Sequence, residues 1–154
     1  MTTGTPASTS YDYIIAGAGA AGLNLAHALG LAGLDDKRVL LVDRAPKTAN
    51  DRTWCFWEAG DNVLESVVHR RWSKLAFHGA GYSKVLEPAP YAYKMLRGID
   101  FYRHMDAWLA ARPNVSRCYG AVEDIAESGD GVAVRINGRA HHAHFAFNSL
   151  PPPL

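Results

Sequence analysis

The chain has 154 residues, 48% of them hydrophobic and 20% charged, enough apolar material for one globular domain with a real core. Sixteen Lys and Arg against fifteen Asp and Glu leave a net charge of +1, so the basic footprint expected of a nucleic-acid binder is missing. Its two cysteines, Cys55 and Cys118, lie far apart and outside any Cys-x-x-Cys pattern, which excludes a dithiol or thiolate-zinc motif and reads as two reduced structural thiols.

Met1 to Ser10 is rich in Thr, Ser, Gly and Pro and lacks a basic start followed by an apolar stretch, so residues 1–10 read as a loose leader and not a signal peptide. No run approaches the roughly 18 apolar residues of a membrane span, and the expected location is cytoplasmic. Tyr13 to Ala16 and Val39 to Val42 are short apolar runs without polar alternation, the pattern of buried parallel strands. Between them Ala20 to Leu34 is an Ala- and Leu-rich helix with Gly33 as its stop. Strand, glycine turn, helix and strand make a βαβ unit, right-handed almost without exception.

The turn of that unit is Gly17-Ala18-Gly19-Ala20-Ala21-Gly22. Gly-x-Gly-x-x-Gly alone is a weak signal, but between a strand and a helix it has a mechanism. The first glycine permits the tight turn, the second lets the backbone approach a diphosphate, and the third lets helix and strand pack closely. Free N–H groups and the dipole at the helix start favour the anion. Gly17, Gly19, Ala20, Ala21 and Gly22 are therefore the candidate cofactor contacts. The competing reading is that these glycines serve only strand-helix packing.

Asp43 ends the second strand about 20 residues beyond the loop, where an acid accepts hydrogen bonds from the adenosine ribose. Its charge disfavours a 2′-phosphate and so points to FAD or NAD, although Arg44 beside it blurs the distinction. The alternative for Asp43 is a solvated strand-end carboxylate. After it the chain enters Ala45 to Asn50, a turn-forming stretch, in place of a second βαβ repeat. Arg52 to Glu58, Trp72 to His78 and a hairpin-like stretch through Gly81 toward Pro88 and Pro90 read as short strands and loops.

In the first of these, two Trp, one Phe and one Arg crowd into a few positions and must line something. Trp54 and Phe56 suit a core patch equally well as a functional one. Functionally, aromatic faces stabilise a positive intermediate, and Arg52 is a candidate partner for a phosphate or an anionic flavin. Gly98 to Arg112 regains helical spacing with Phe101, Met105, Trp108 and Leu109 on one side, and Arg97 at its start is a candidate diphosphate contact. Its alternative is an exposed arginine.

Val115 to Tyr119 is a candidate third parallel strand. Ala121 to Ala126, Val132 to Ile136 and Ala140 to Phe147, joined by Gly-containing turns, form a β-meander. A meander in the crossover after the third strand is typical of flavin domains, which moves the loop toward FAD. The expected fold is thus α/β, a Rossmann-like FAD-binding domain over 11–150, with a proline-rich end at 151–154. His141, His142 and His144 read as the polar side of a meander strand and not as a metal site, because no third ligand shares a face.

Tyr11 to Leu23, the run Asp51-Arg52-Thr53-Trp54-Cys55-Phe56-Trp57, the helix start Arg97 to Tyr102 and the closing Phe147-Asn148-Ser149 together resemble the amino-terminal part of the lycopene β-cyclase family. The resemblance implies a fold of the glutathione-reductase-2 and hydroxylase type, binding FAD in reduced form with NADPH as electron source. It further implies closure of the linear ends of lycopene into β-ionone rings without net redox change. The implied partner is a lipophilic carotenoid, which implies peripheral association with the inner membrane. Members of the family are more than twice this length, and the acidic motif that supplies their proposed catalytic acid lies beyond Leu154. The fold is therefore expected to be incomplete and the chain alone inactive, and no catalytic residue is assigned. Glu58 and Glu87, the nearest in-chain carboxylates, are not adopted in its place. The alternatives are an FAD-dependent hydroxylase or reductase of the same fold, and a truncated, non-catalytic nucleotide-binding module.

Overall fold

A computed structural model describes residues 10–150; the expected leader, apart from Ser10, and the proline-rich end lie outside the described residues. In chain order the elements are β1 (Ser10–Ala16), α1 (Ala20–Leu31), β2 (Val39–Asp43), β3 (Thr53–Ala59), a 3-10 turn (Glu65–Val67), β4 (Val68–Trp72), β5 (Leu75–Gly79), β6 (Tyr82–Leu86), β7 (Tyr91–Arg97), α2 (Gly98–Ala110), β8 (Val115–Tyr119), β9 (Val122–Ser128), β10 (Gly131–Ile136) and β11 (Arg139–Asn148). They divide into two compact units, Met1–Pro46 with Trp108–Leu154, and Lys47–Ala107.

The first unit is a six-stranded sheet in the order β8-β2-β1-β11-β10-β9. The β1/β2, β2/β8 and β1/β11 pairs are parallel, and β11/β10 and β10/β9 are antiparallel. The parallel strands thus stand in the chain order third-second-first-fourth, and direction of winding reverses at β1. Open α/β sheets bind ligands outside the carboxyl ends of their strands at such a point.

The meander is present, with one feature the pattern did not reveal. β11 is ten residues long, closing the meander through Arg139–Ala143 and then continuing as the fourth parallel strand beside β1 through Asn148. Apolar runs form the core as parallel strands require, with Ile14, Leu40, Val42, Val134, Ile136 and Ala143 in one buried cluster. Each large member contributes about 1.5–3 kcal/mol by burial. α1 buries Gly22, Leu23, Ala26 and His27 and ends three residues before Leu34, with Gly33 at φ +75° just beyond.

The second unit holds a three-stranded antiparallel sheet, β3-β7-β4, and a separate hairpin of β5 and β6. The stretch Trp72 to His78 holds the end of one strand and the start of the next: Trp72 closes β4 and β5 starts at Leu75. The central strand, β7, lies beyond the stretches that the sequence pattern marks as strands. It buries Ala92, Lys94 and Leu96 and leaves Tyr91, Tyr93, Met95 and Arg97 on the more accessible side.

Lys94 is fully buried, and its Nζ donates to Glu58 Oε2 at 2.9 Å, to the Gly60 carbonyl at 2.7 Å and to Glu65, with Asp61 at 3.6 Å. Arg71 completes the network through Asp61 at 2.8 Å and Glu65 at 3.2 Å. Burial alone lowers the Lys94 pKa, but the hydrogen bonds with Glu65 and Glu58 outweigh it and leave the pKa raised. Lys94 in turn holds the Glu58 carboxyl below the usual range, and Arg71 does the same to Asp61.

The lowered carboxylates contribute stability that is present above about pH 4 and is lost as pH falls through their folded values. The raised lysine contributes stability that is present below about pH 10 and is lost as pH rises past its folded value. Melting followed by tryptophan fluorescence is therefore expected to show a plateau across neutral pH with losses at both ends. A maximum near pH 3 would contradict the network.

Candidate functional site

Each glycine of the loop answers to a different constraint. Gly17 sits at φ +105°, and a Cβ there would lie 2.5 Å from Ser149 Oγ. Its N–H donates to the Val42 carbonyl at 2.8 Å, tying the turn to β2. At Gly22 a Cβ would fall within the Gly17 carbonyl oxygen and also crowd Ile15, so the close approach of α1 to β1 needs glycine. Gly19 is different. It is the N-cap of α1, in extended conformation at φ −81°, and a Cβ there would meet no protein atom within 4 Å. Nothing in the packing of the described residues asks for glycine at that position.

The end of α1 that begins here carries no acidic residue in its first turn and no side-chain cap. The backbone N–H groups of a helix's first turn have no intrahelical acceptor, so this end is an electropositive surface. Ala20 is partly exposed and Ala21 exposed, so no large side chain covers it.

Asp43 ends β2, as the spacing predicts, with its carboxylate anchored on the loop. Oδ2 accepts the Ala18 N–H at 3.0 Å and Oδ1 accepts the Arg44 N–H at 2.7 Å. Arg44 is exposed beside it.

Ser149 joins the site through the fold and not through any motif of the loop. Its N–H donates to the Ala16 carbonyl at 2.9 Å, and its hydroxyl lies 3.1 Å from both the Ala16 and Gly17 carbonyls, so it braces the turn from 132 residues away. The only hint in the sequence was its place in the closing Phe-Asn-Ser of the family pattern.

The remaining candidates belong to the second unit. Arg52 is exposed, with one long bond from Nη1 to the Asp51 carbonyl at 3.4 Å. Arg97 is the last residue of β7, and its Nε and Nη2 grip Asp100 at 2.6 and 3.1 Å. That bond raises the Arg97 pKa and holds the Asp100 carboxyl below the usual range. Arg97 lines an open cleft of about 510 Å³ with His69, Asp100, Arg103 and His104.

The aromatic run divides between the two faces of its strand. Trp54 packs edge-on against Phe101 and Tyr102 at 5.3 and 5.9 Å, as a core residue does, whereas Trp57 is 48% exposed. Cys55 and Cys118 are both free thiols, Cys55 exposed and Cys118 half-buried. The Cys55 side of β3 is the accessible one. Glu58 is paired with Lys94 at 2.9 Å and Glu87 with Lys74 at 2.6 Å. Among the described residues no cluster of His, Cys, Asp or Glu is arranged to hold a metal, and no helix is long and apolar enough to cross a membrane.

This loop on this sheet is the mixed α/β fold, with parallel strands, of flavin-dependent oxidoreductase structures. A quadruple variant of Pseudomonas aeruginosa PqsL superimposes with a TM-score of 0.71 at 22% identity, covering 89% of this chain and 42% of that one. Unsubstituted PqsL from the same organism, described as "a probable FAD-dependent monooxygenase", gives 0.69 at 19% identity, with 89% and 41% covered. p-Nitrophenol 4-monooxygenase PnpA from Pseudomonas putida DLL-E4 gives 0.71 at 19% identity, with 90% and 40% covered. The chain thus spans about two-fifths of the length of these structures. No curated protein sequence matches it. The chain belongs to the lycopene cyclase protein family, whose model matches residues 12–153.

Proposed function

We propose that this chain is the FAD-binding amino-terminal part of a lycopene β-cyclase, which closes the linear ψ ends of lycopene into β-ionone rings without net redox change. The observation that carries the FAD reading is Gly19. The fold explains Gly17 and Gly22 by their own contacts, whereas the open space at Gly19, against an uncapped helix start, is a cradle that a Cβ would fill. The family match carries the substrate.

In this reading Gly19 lets the diphosphate approach the backbone, and the first-turn N–H groups of Ala20, Ala21 and Gly22 donate to it. Asp43 holds the loop through Ala18, and its carboxylate at the end of β2 is the acceptor for the ribose hydroxyls. Its negative charge disfavours a 2′-phosphate, so NADPH serves as electron donor from elsewhere and does not occupy this loop. Of the two arginines, Arg52 is paired with no carboxylate among the described residues and is the better candidate for an anionic group; Arg97 is already held by Asp100. Reduced FAD would support protonation of the polyene or stabilise the cation that follows. No residue of this chain is assigned as the acid that delivers the proton. A hydrocarbon substrate dissolved in membranes calls for peripheral attachment to the inner membrane, on the cytoplasmic side.

The names of the similar structures favour one second reading, an FAD-dependent hydroxylase, which would consume NAD(P)H in step with product. A cyclase consumes none per turnover. Expression of a full-length protein carrying this segment in lycopene-accumulating cells is expected to turn them from red to orange. Persistent red, with NAD(P)H oxidised on addition of an aromatic substrate, would favour the hydroxylase.

A further inference from the structure

The two faces of the sheet β3-β7-β4 are put to different uses. One carries Lys94 and its carboxylates. On the other, the strand register sets Trp57 directly across from Tyr93 and Trp72 on Tyr93's far side, so three rings form a row across all three strands. Their centroids are 4.9 Å apart for Trp57 and Tyr93 and 6.0 Å for Tyr93 and Trp72. Trp57 and Trp72 are 48% and 38% exposed, and Tyr91, two residues along β7, is 52% exposed. On the other side of the row Cys55 stands across from Met95, adding two polarizable sulfurs. Arg70, paired with Met95, is the nearest charge by register, and no carboxylate lies in the row.

A contiguous patch of large aromatic side chains is costly to leave in water and marks a binding surface. Its chemistry is narrow. The ring faces stack on flat apolar groups, and the few hydrogen-bonding atoms are confined to ring edges. Three strands at about 4.8 Å spacing give a row roughly 10 Å long, enough for one end of a long hydrocarbon and not for its whole length.

We propose that the Trp57–Tyr93–Trp72 row is the seat for one end of a conjugated polyene hydrocarbon. The proposal rests on the cyclase reading for the identity of its occupant; the row itself rests on register, ring spacing and exposure. Trp57 and Trp72 are the binding residues. Trp54, edge-on against Phe101 and Tyr102, belongs to the opposite face and serves packing.

The test is titration of the purified 154-residue chain with lycopene in mild detergent micelles, read by quenching of tryptophan emission. Trp54 and Trp108 supply the signal that remains in a Trp57→Leu/Trp72→Leu double variant. The expected result is saturable quenching by the wild-type chain, an apparent affinity about tenfold weaker in the double variant with unchanged circular dichroism, and poor competition by saturated squalane. Equal affinity of both proteins for lycopene, or equal competition by squalane, would overturn the proposal. So would self-association of the chain that the double variant abolishes without any lycopene binding, which would make the row a contact between copies. The two readings fail separately. FAD retention with lycopene binding indifferent to both tryptophans removes the seat and leaves the flavin site. Lycopene binding through the row without ring closure by the full-length protein removes the cyclase and leaves the seat.

Discussion

Gly22→Ala is expected to destabilise the glycine-loop unit strongly, although helix propensity alone favours Ala over Gly by about 1 kcal/mol. The added methyl would occupy the space of the Gly17 carbonyl oxygen and press on Ile15. Neither neighbour can yield cheaply. The Gly17 carbonyl belongs to a turn pinned through Val42 and Ser149, and Ile15 is fully buried in β1. Overpacking of a well-filled site typically costs about 1–3 kcal/mol, and a clash with backbone belongs at or above the top of that range. Against a total stability of about 5–15 kcal/mol, that is a fall in melting temperature readable by circular dichroism. A Gly22→Ala chain as stable as the wild type would show that α1 does not approach β1 this closely.

Lys94→Met is expected to damage the second unit comparably, for an electrostatic reason. Methionine matches the length of the lysine stem, so the packing change is small. The carboxylates of Glu58 and Glu65, only 23% and 28% exposed, would be left facing one another without their shared cation. Removing one member of a buried ionic network is far more costly than replacing the whole network with neutral groups. A fall in melting temperature on the order of 10 °C or more is expected. Adding Glu58→Gln and Glu65→Gln to Lys94→Met should recover a large part of it. If the triple variant melts no higher than Lys94→Met alone, the lysine contributes by packing and not by charge.

The same lysine explains why β7 was not legible in the sequence. Tyr91-Ala92-Tyr93-Lys94-Met95-Leu96-Arg97 alternates in the structure, but a charge in the middle of its buried face breaks the apolar pattern that identifies a strand. β4, Val-His-Arg-Arg-Trp, is an edge strand with too few apolar residues to show a period. In contrast residues 14–16 of β1 and 39–42 of β2 are buried on both faces, so each strand contains a continuous apolar run, and α1 between them is long and rich in good helix formers. That is why the βαβ unit and its loop could be read directly.

At the site, the position of Asp43 followed from spacing along the chain. Its bond to Ala18 did not, because it depends on how the loop closes. The brace from Ser149 joins residues 132 positions apart, and only β11, running on from the meander to lie beside β1, brings them together. Periodicity carries no information about such a contact. Likewise, the Asp-Arg-Thr-Trp-Cys-Phe-Trp run announced that its aromatic residues line something, but only the pairing of β3 with β7 separated Trp54, half-buried against Phe101 and Tyr102, from Trp57, on the accessible face.

The most direct test of the FAD site is titration of FAD into the wild-type chain and into Gly19→Asp, followed by flavin fluorescence and by the absorbance retained after dialysis. Aspartate is a favoured N-cap and fits the open space, so the variant should fold at least as well as the wild type. Its carboxylate would stand where the diphosphate approaches. At about 4 Å near a protein surface that repulsion amounts to about 4 kcal/mol, more than 100-fold in affinity. Saturable FAD binding by the wild-type chain, lost in a Gly19→Asp chain of unchanged circular dichroism, is the predicted result. A folded wild-type chain that does not bind FAD, or a Gly19→Asp chain that binds it equally well, would contradict the account.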